Sequence, residues 1–248
     1  MKEKCFYFLG YKGKMSISRQ RYYMRGSIYP REETTYEELK GHRSFSKEEL
    51  PRLSQTGTIG YGNRPSRQFI SKYACGMLNT GKGGLISMGI VDNGRIEGFS
   101  LSRYQQDHVR LCIQDTFDRY DPPVPPHLYK VTFIPVLDCI DGQSPEEELE
   151  AVHKWLNIEN EQDPTFQHLV RTLEPCWCDS GALAAFGCGV LNPFFVVELQ
   201  LEAWNQNNPR NAKLFPKDPS GPSFKAEDGF NYKRGFASNA VAMTQKQT

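Results

Sequence analysis

The chain has 248 residues, enough to bury a sizeable core as one large domain or two small ones. Lys and Arg number 30 against 29 Asp and Glu, so net charge alone selects no polyanionic partner, and no run approaches the roughly 18 apolar residues of a membrane helix. Seven irregularly spaced cysteines argue against a complete disulfide framework, and "MKEKCFYFLGYKGK" has too short an apolar stretch for a secretory leader; the expectation is an intracellular, soluble, cytoplasmic protein with reduced thiols and no membrane partner.

Charge is segregated along the chain. Met1 to Arg31 holds eight basic residues and one acid, whereas Asp141 to Asp163 holds eight acids and one lysine. Such a chain can present a basic face to nucleic acid while the whole looks neutral; a basic disordered arm and an acidic loop fit the same counts.

In chain order, residues 1–28 read as a basic, tyrosine-rich arm or edge strand. "EETTYEELK" (Glu32 to Lys40) then packs four glutamates into nine residues. Glu33 and Glu38 are five apart, so they fall on opposite faces of an extended strand and are poorly aligned on a helix. They can converge only across a bend, and Thr34-Thr35-Tyr36 favours extended chain there; alone, the cluster reads as a solvated surface. After the loop "SQTGTIGYGNRPSR", the segment "SRQFISKYACGMLNT" has helical spacing with one buried face. "GGLISMGIVDNGRIEGF" reads as strand, turn and strand, with Asn93-Gly94 at the tip and Asp92 projecting at the sheet rim. "RYQQDHVRLCIQDTFDRY" returns to helical period until "DPPVPP" stops it, and "YKVTFIPVLDC" is a strand.

The pattern weakens from about 141 to 190, through an acidic helix "PEEELEAVHKWL" and a Cys- and Gly-rich stretch. "NPFFVVELQLEAW" is a strong strand, "FKAEDGFNYKRG" a second hairpin around Asp228-Gly229, and the last dozen residues a fraying tail. Alternating helices and strands place the chain in the α/β or α+β class, with one mixed β-sheet flanked by helices.

Two motifs give way to plainer explanations. In "GMLNTGKGG", Gly76, Gly81 and Lys82 fit a phosphate-binding loop, but Gly83 replaces the hydroxyl that would ligand magnesium. The order is also helix, loop, strand rather than the reverse, so a helix C-cap and a tight turn explain the glycines. Cys176-Trp177-Cys178, taken with Cys139, Cys188, His127 and His168, offers one C-x-C pair and no second zinc-type pair, which reads as buried structural thiols. No H-E-x-x-H or G-x-S-x-G stretch supports hydrolysis by a metalloprotease or a serine nucleophile.

"ETTYEELK", "ISKYACGMLNTGKGGLISMGIVDNGRIEGF", "YKVTFIPVLD" and "FKAEDGFNYKRGFASNAVAM" together, in this order, resemble the Schlafen core domain, once described as a divergent AlbA-type domain. The resemblance runs from about Tyr29 to Met243. It implies a single Schlafen-core lobe over 29–243 with a divergent, acidic insertion at about 141–190, preceded by the arm at 1–28 and followed by a tail at 244–248.

Catalytic Schlafens cut structured RNA, tRNA among others, with a magnesium- or manganese-dependent three-carboxylate site. The resemblance carries that role to Glu33, Glu38 and Asp92 as metal ligands and catalytic residues, with Lys40 as a phosphate contact. Clustered carboxylates are the hard oxygen donors that Mg2+ and Mn2+ prefer. It also implies an RNA groove completed by a second lobe, in a homodimer or a heteromer with other Schlafen-like subunits such as those that trim piRNA precursors. Lys12, Lys14, Arg19, Arg21 and Arg25 of the arm are then the candidate RNA contacts. A non-catalytic subunit that binds RNA and a catalytic partner is the alternative.

Two departures accompany the resemblance. Phe195 and Val196 stand where many Schlafens carry adjacent zinc-binding cysteines, and His127 lacks a Cys two residues on, so no structural zinc of the family type is expected. An insertion, roughly "SFSKEELPRLSQTGTIGYG", separates Glu38 from the following helix and lengthens the path to Asp92.

Overall fold

A computed structural model of the chain describes residues 21–50, 68–139, 142–157, 166–215 and 221–235, with the backbone of 240–242. In chain order the elements are β1 (Tyr23–Met24), β2 (Glu37–Lys40), α1 (Ser71–Asn79), β3 (Gly84–Met88), β4 (Phe99–Ser100), α2 (Arg103–Asp118), β5 (Tyr129–Leu137), α3 (Pro145–Asn157), α4 (Trp177–Gly187), β6 (Phe194–Leu201), β7 (Tyr232–Arg234) and β8 (Ala240–Ala242). The first six strands form one mixed sheet in the order β1-β5-β6-β3-β2, with β4 also paired to β6. β1 runs parallel to β5 and β2 parallel to β3, while β6 is antiparallel to both of its long neighbours. The architecture is the mixed α+β fold read from the sequence.

Alternation along β6 shows how the sheet divides its two faces. Phe195, Val197, Leu199 and Leu201 enter the main core with α1 and α2, whereas Val196 joins Tyr29, Leu39, Ile90, Ile96 and Val136 in a smaller cluster on the other face. Helix α2 begins at a capping box: the Ser102 hydroxyl accepts from the Gln105 N–H at 3.2 Å, and Gln105 Oε1 accepts from the Ser102 N–H at 3.0 Å. The glycine-rich loop after α1 is the expected turn. Gly83 has φ of +71°, and a Cβ there would lie 2.3 Å from the Leu201 carbonyl oxygen, so only glycine lets the chain enter β3.

Packing sharpens several expectations. The edge-strand reading holds for the end of the arm: residues 21–28 include β1, which pairs with the edge of β5. Residues 1–20, with Lys12, Lys14 and Arg19, lie outside the described residues. The start of the insertion after Glu38 is core rather than detour, because Phe45 and Leu50 are both 1% exposed on either side of a 3-10 turn over Lys47–Glu49. Its later part, 51–67, lies outside the described residues.

The acidic helix α3 is amphipathic and covers β5. Val152 is buried with Leu149, Trp155 and Leu156 against the main core, and Glu148 accepts from the backbone N–H groups of Asp138 (3.1 Å) and Cys139 (2.6 Å). The Cys- and Gly-rich stretch contains a helix, α4. The final dozen residues are not wholly a tail, since β8 pairs with β7.

Candidate active site around Tyr73

A bend brings Glu33 and Glu38 together. The Thr34 hydroxyl accepts from the N–H groups of Tyr36 and Glu37, each at 3.1 Å, and the Thr34 N–H donates to the Glu37 carbonyl at 3.0 Å. The expected extended chain at Thr34–Tyr36 is therefore a tight turn, because a threonine side chain can satisfy backbone donors in place of a ladder. Folded back in this way, Glu33 accepts from the Leu39 N–H at 3.1 Å. Strand β2 then sorts its side chains by period two. Glu38 and Lys40 share one face, while Glu37 on the other pairs with Arg31 at 2.7 Å, away from the site.

Lys40 links the two acids. Its ammonium pairs closely with Glu38 Oε1 and lies 4.0 Å from Glu33 Oε1. Glu38 is 1% exposed and has a second cation, Arg234 of β7, whose Nη2 lies 2.5 Å from Oε2 without the alignment of a hydrogen bond. The same Nη2 donates to the carbonyls of Thr34 (2.8 Å) and Glu37 (3.0 Å), so Arg234 fixes both the bend and the buried carboxylate. Gly76 on α1 eases the approach of this strand, since a Cβ there would lie 3.2 Å from the Arg234 backbone nitrogen. Sequence reading placed Arg234 in the closing hairpin "FKAEDGFNYKRG" but gave it no role. Burial pushes the Glu38 carboxyl upward, opposed by Lys40 and Arg234 and reinforced by Glu33.

The Tyr73 ring on α1 is the floor of this arrangement. Lys40 Nζ lies 4.3 Å from its centroid, Lys72 Nζ 4.8 Å and the Arg234 guanidinium carbon 5.5 Å. Burial pushes the Tyr73 phenol up to about 12, and the carboxylates of Glu38, Glu33 and Asp92 add to the shift. Asp92 itself is exposed in the Val91–Gly94 turn, where the Gly94 N–H donates to the Val91 carbonyl at 2.7 Å. Lys72, which the sequence reading missed, is held at about 8 by burial and by Lys40, against the pull of Glu38 and Asp228.

Residues 33–163, just over half of the chain, match the family model described as Schlafen, AlbA_2. The chain belongs to the Schlafen family. The matched span opens on Glu33 and takes in Glu38, Lys40, Lys72, Tyr73 and Asp92, leaving Arg234 and α4 beyond it. A Schlafen domain of this kind is compatible with a nuclease-like or RNA-binding role.

The other residues singled out in the sequence lie apart from this cluster. Arg21 pairs with the buried Glu198 at 2.8 Å, and Arg25 pairs with Asp138 at 2.8 Å while stacking on Phe194 at 4.0 Å, so these two candidate RNA contacts are engaged within the fold. Phe195 is fully buried against Phe133 and Trp155. His127 meets Asn211 at 2.7 Å rather than a metal-type partner. Among the described residues, the atoms of Glu33, Glu38 and Asp92 do not form a group of three at mutual ligand spacing; one such group exists, at His108, His168, Cys176 and Cys178. No helix among the described residues is long and apolar enough to cross a membrane.

Proposed function

We propose that this Schlafen domain is a metal-dependent endoribonuclease, or the catalytic subunit of a heteromeric one, acting on structured or precursor RNA through Glu33, Glu38 and Asp92. The observation that carries the reading is the bend at Thr34, which turns two acids with unfavourable spacing onto one lysine beside Tyr73. The donors suit Mg2+ or Mn2+ in kind rather than in spacing: they are carboxylate oxygens, and Glu38 Oε2 has a cation beside it but no aligned hydrogen bond, while the three acids do not stand at mutual ligand spacing. Such an ion, when bound, lowers the pKa of a water and offsets charge on the phosphate.

The chain's own groups do the rest. The Leu39 N–H orients Glu33, and Arg234 holds Glu38 from the core side. Lys40 would offer its ammonium to a phosphate oxygen, and Lys72 adds a second positive group on the same ring. A second Schlafen lobe, in a homodimer or a heteromer, would complete the groove for RNA. The exposed apolar residues Leu183, Phe186, Val190 and Leu191 on and after α4 supply surface for such a partner.

One observation favours a non-catalytic RNA-binding subunit instead: Lys40 and Arg234 already engage both oxygens of Glu38. Labelled tRNA and a short single-stranded RNA, incubated with the purified chain in manganese, magnesium or EDTA, separate the two readings. Metal-dependent cutting supports the nuclease, whereas RNA that is bound but intact under every condition supports the subunit.

A further inference from the structure

Helix α4 and the segment before it are poorly held by apolar burial. Of the eleven residues Trp177–Gly187 only Cys178 is buried, and Leu183 and Phe186 are 72% and 64% exposed. Residues 166–176 contain no helix or strand. A Tyr104–Trp177 ring contact at 5.1 Å and a hydrogen bond from Gln105 Nε2 to Asp179 Oδ1 at 2.6 Å hold this segment against α2, and four further side chains meet there.

His108 of α2 and His168, Cys176 and Cys178 of the segment bring one ligand atom each within 4.8 Å of one another. His108 Nδ1 lies 3.3 Å from Cys178 Sγ, and His168 Nδ1 lies 3.5 Å from Cys176 Sγ. Tetrahedral zinc, with Zn–N and Zn–S bonds of about 2.0 and 2.3 Å, sets nitrogen and sulfur ligands about 3.6 Å apart. Cys176, Cys178 and His108 are buried, and His168 is half-buried. The ring plane of His168 is fixed by Trp177, which stacks on it at 4.9 Å with 16° between the planes. The intervening residue of the C-x-C pair thereby orients a third ligand. A cleft lined by His108, Leu169, Arg171 and Asp179 opens beside the cluster and supplies an entry path.

We infer that His108, His168, Cys176 and Cys178 form a structural Zn2+ site that fastens α4 to α2. The reading of these cysteines as plain buried thiols rested on spacing alone; His108, about seventy residues upstream, completes the set only in the fold. All six described cysteines are free thiols, as metal loading requires. Binding releases one proton from each thiol, and two thiolates with two neutral imidazoles leave a Zn2+ site of zero net charge, suited to burial. The four protein ligands close the tetrahedron, so the ion is structural rather than catalytic. The site uses none of the carboxylates near Tyr73, and its fate is independent of the nuclease reading.

The test is metal analysis of the full-length chain purified without a histidine tag. The expected result is about one zinc per chain. Replacement by cobalt should give the intense visible bands of a tetrahedral site and a thiolate-to-cobalt charge-transfer band. The half-buried ligand is altered by His168→Asn and a buried one by Cys178→Ser, with circular dichroism reporting whether the sheet persists. Both variants should lose the metal and the cobalt bands, and Asp92→Asn should keep them. In the parent, chelation should open the peptide bond after Arg171 to trypsin, and added zinc should close it. A parent chain without stoichiometric zinc, cobalt spectra lacking thiolate bands, or full zinc retention in His168→Asn and Cys178→Ser would each overturn the assignment.

Discussion

Glu38 ties the proposed catalysis to stability in one side chain. Its carboxylate and the Arg234 guanidinium are 1% and 0% exposed, so removing the acid takes the counter-charge from a buried cation. Breaking such a pair costs about 3–5 kcal/mol. Glu38→Ala should therefore lower the denaturant midpoint as well as any activity, which makes it a poor probe of chemistry alone. Exposed Asp92 has no such role, and Asp92→Asn should leave the midpoint within about 0.5 kcal/mol of the parent. Lys72 gives the site a pH signature. With its ammonium at about 8, it loses charge across that value, so RNA affinity should fall between about pH 7 and about pH 9 in the parent. Arginine stays charged throughout that range, and Lys72→Arg should flatten the decline. Equal decline in both proteins would remove Lys72 from the RNA contact.

At the scale of elements, α1 is the joint between the sheet and the closing hairpin. Asn79 accepts from the Phe224 N–H at 2.6 Å and donates to the carbonyls of Phe224 and Tyr232, each at 2.9 Å. The Ser71 hydroxyl donates to Glu227 at 2.6 Å. Burial pushes Glu227 from 4.5 up to about 7, so the folded state holds a proton that the unfolded state has lost. Its contribution is complete below about pH 4.5 and disappears as pH rises through about 7. Glu227→Gln should remove that part of the pH dependence, read from urea midpoints across the range. An unchanged slope would show that Glu227 titrates normally.

The elements themselves were largely legible. Helical period marked α1 and α2, alternation and β-branched runs marked β5 and β6, and Asn93-Gly94 marked a turn. What the sequence hid were features with no local period. Helix α4, in "WCDSGALAAFG", has no apolar face to betray it because little of it is buried. Strand β8 needs β7 beside it, and the bend at Thr34 is set by a side-chain hydroxyl against the extended preference of its neighbours.

Across the whole molecule, the cluster near Tyr73 is assembled from β2, the bend before it, α1 and β7, which span some 200 residues of chain. Family motifs supplied Glu33, Glu38 and Asp92, but pairing Arg234 with Glu38 required the fold. The charge asymmetry was equally incomplete as a guide. Arg21 and Arg25 form ion pairs within the sheet, while Lys40 and Lys72, outside the basic arm, stand with the acids.

The most direct test of the account compares RNA cleavage by the parent and by Asp92→Asn in manganese, with EDTA as the metal-free control. Loss of a metal-ligating carboxylate should slow cutting by about 100-fold or more, close to 3 kcal/mol of transition-state stabilisation, while melting temperature and RNA affinity stay those of the parent. Cutting that persists in EDTA, or runs at the parental rate in Asp92→Asn, would contradict the three-carboxylate site.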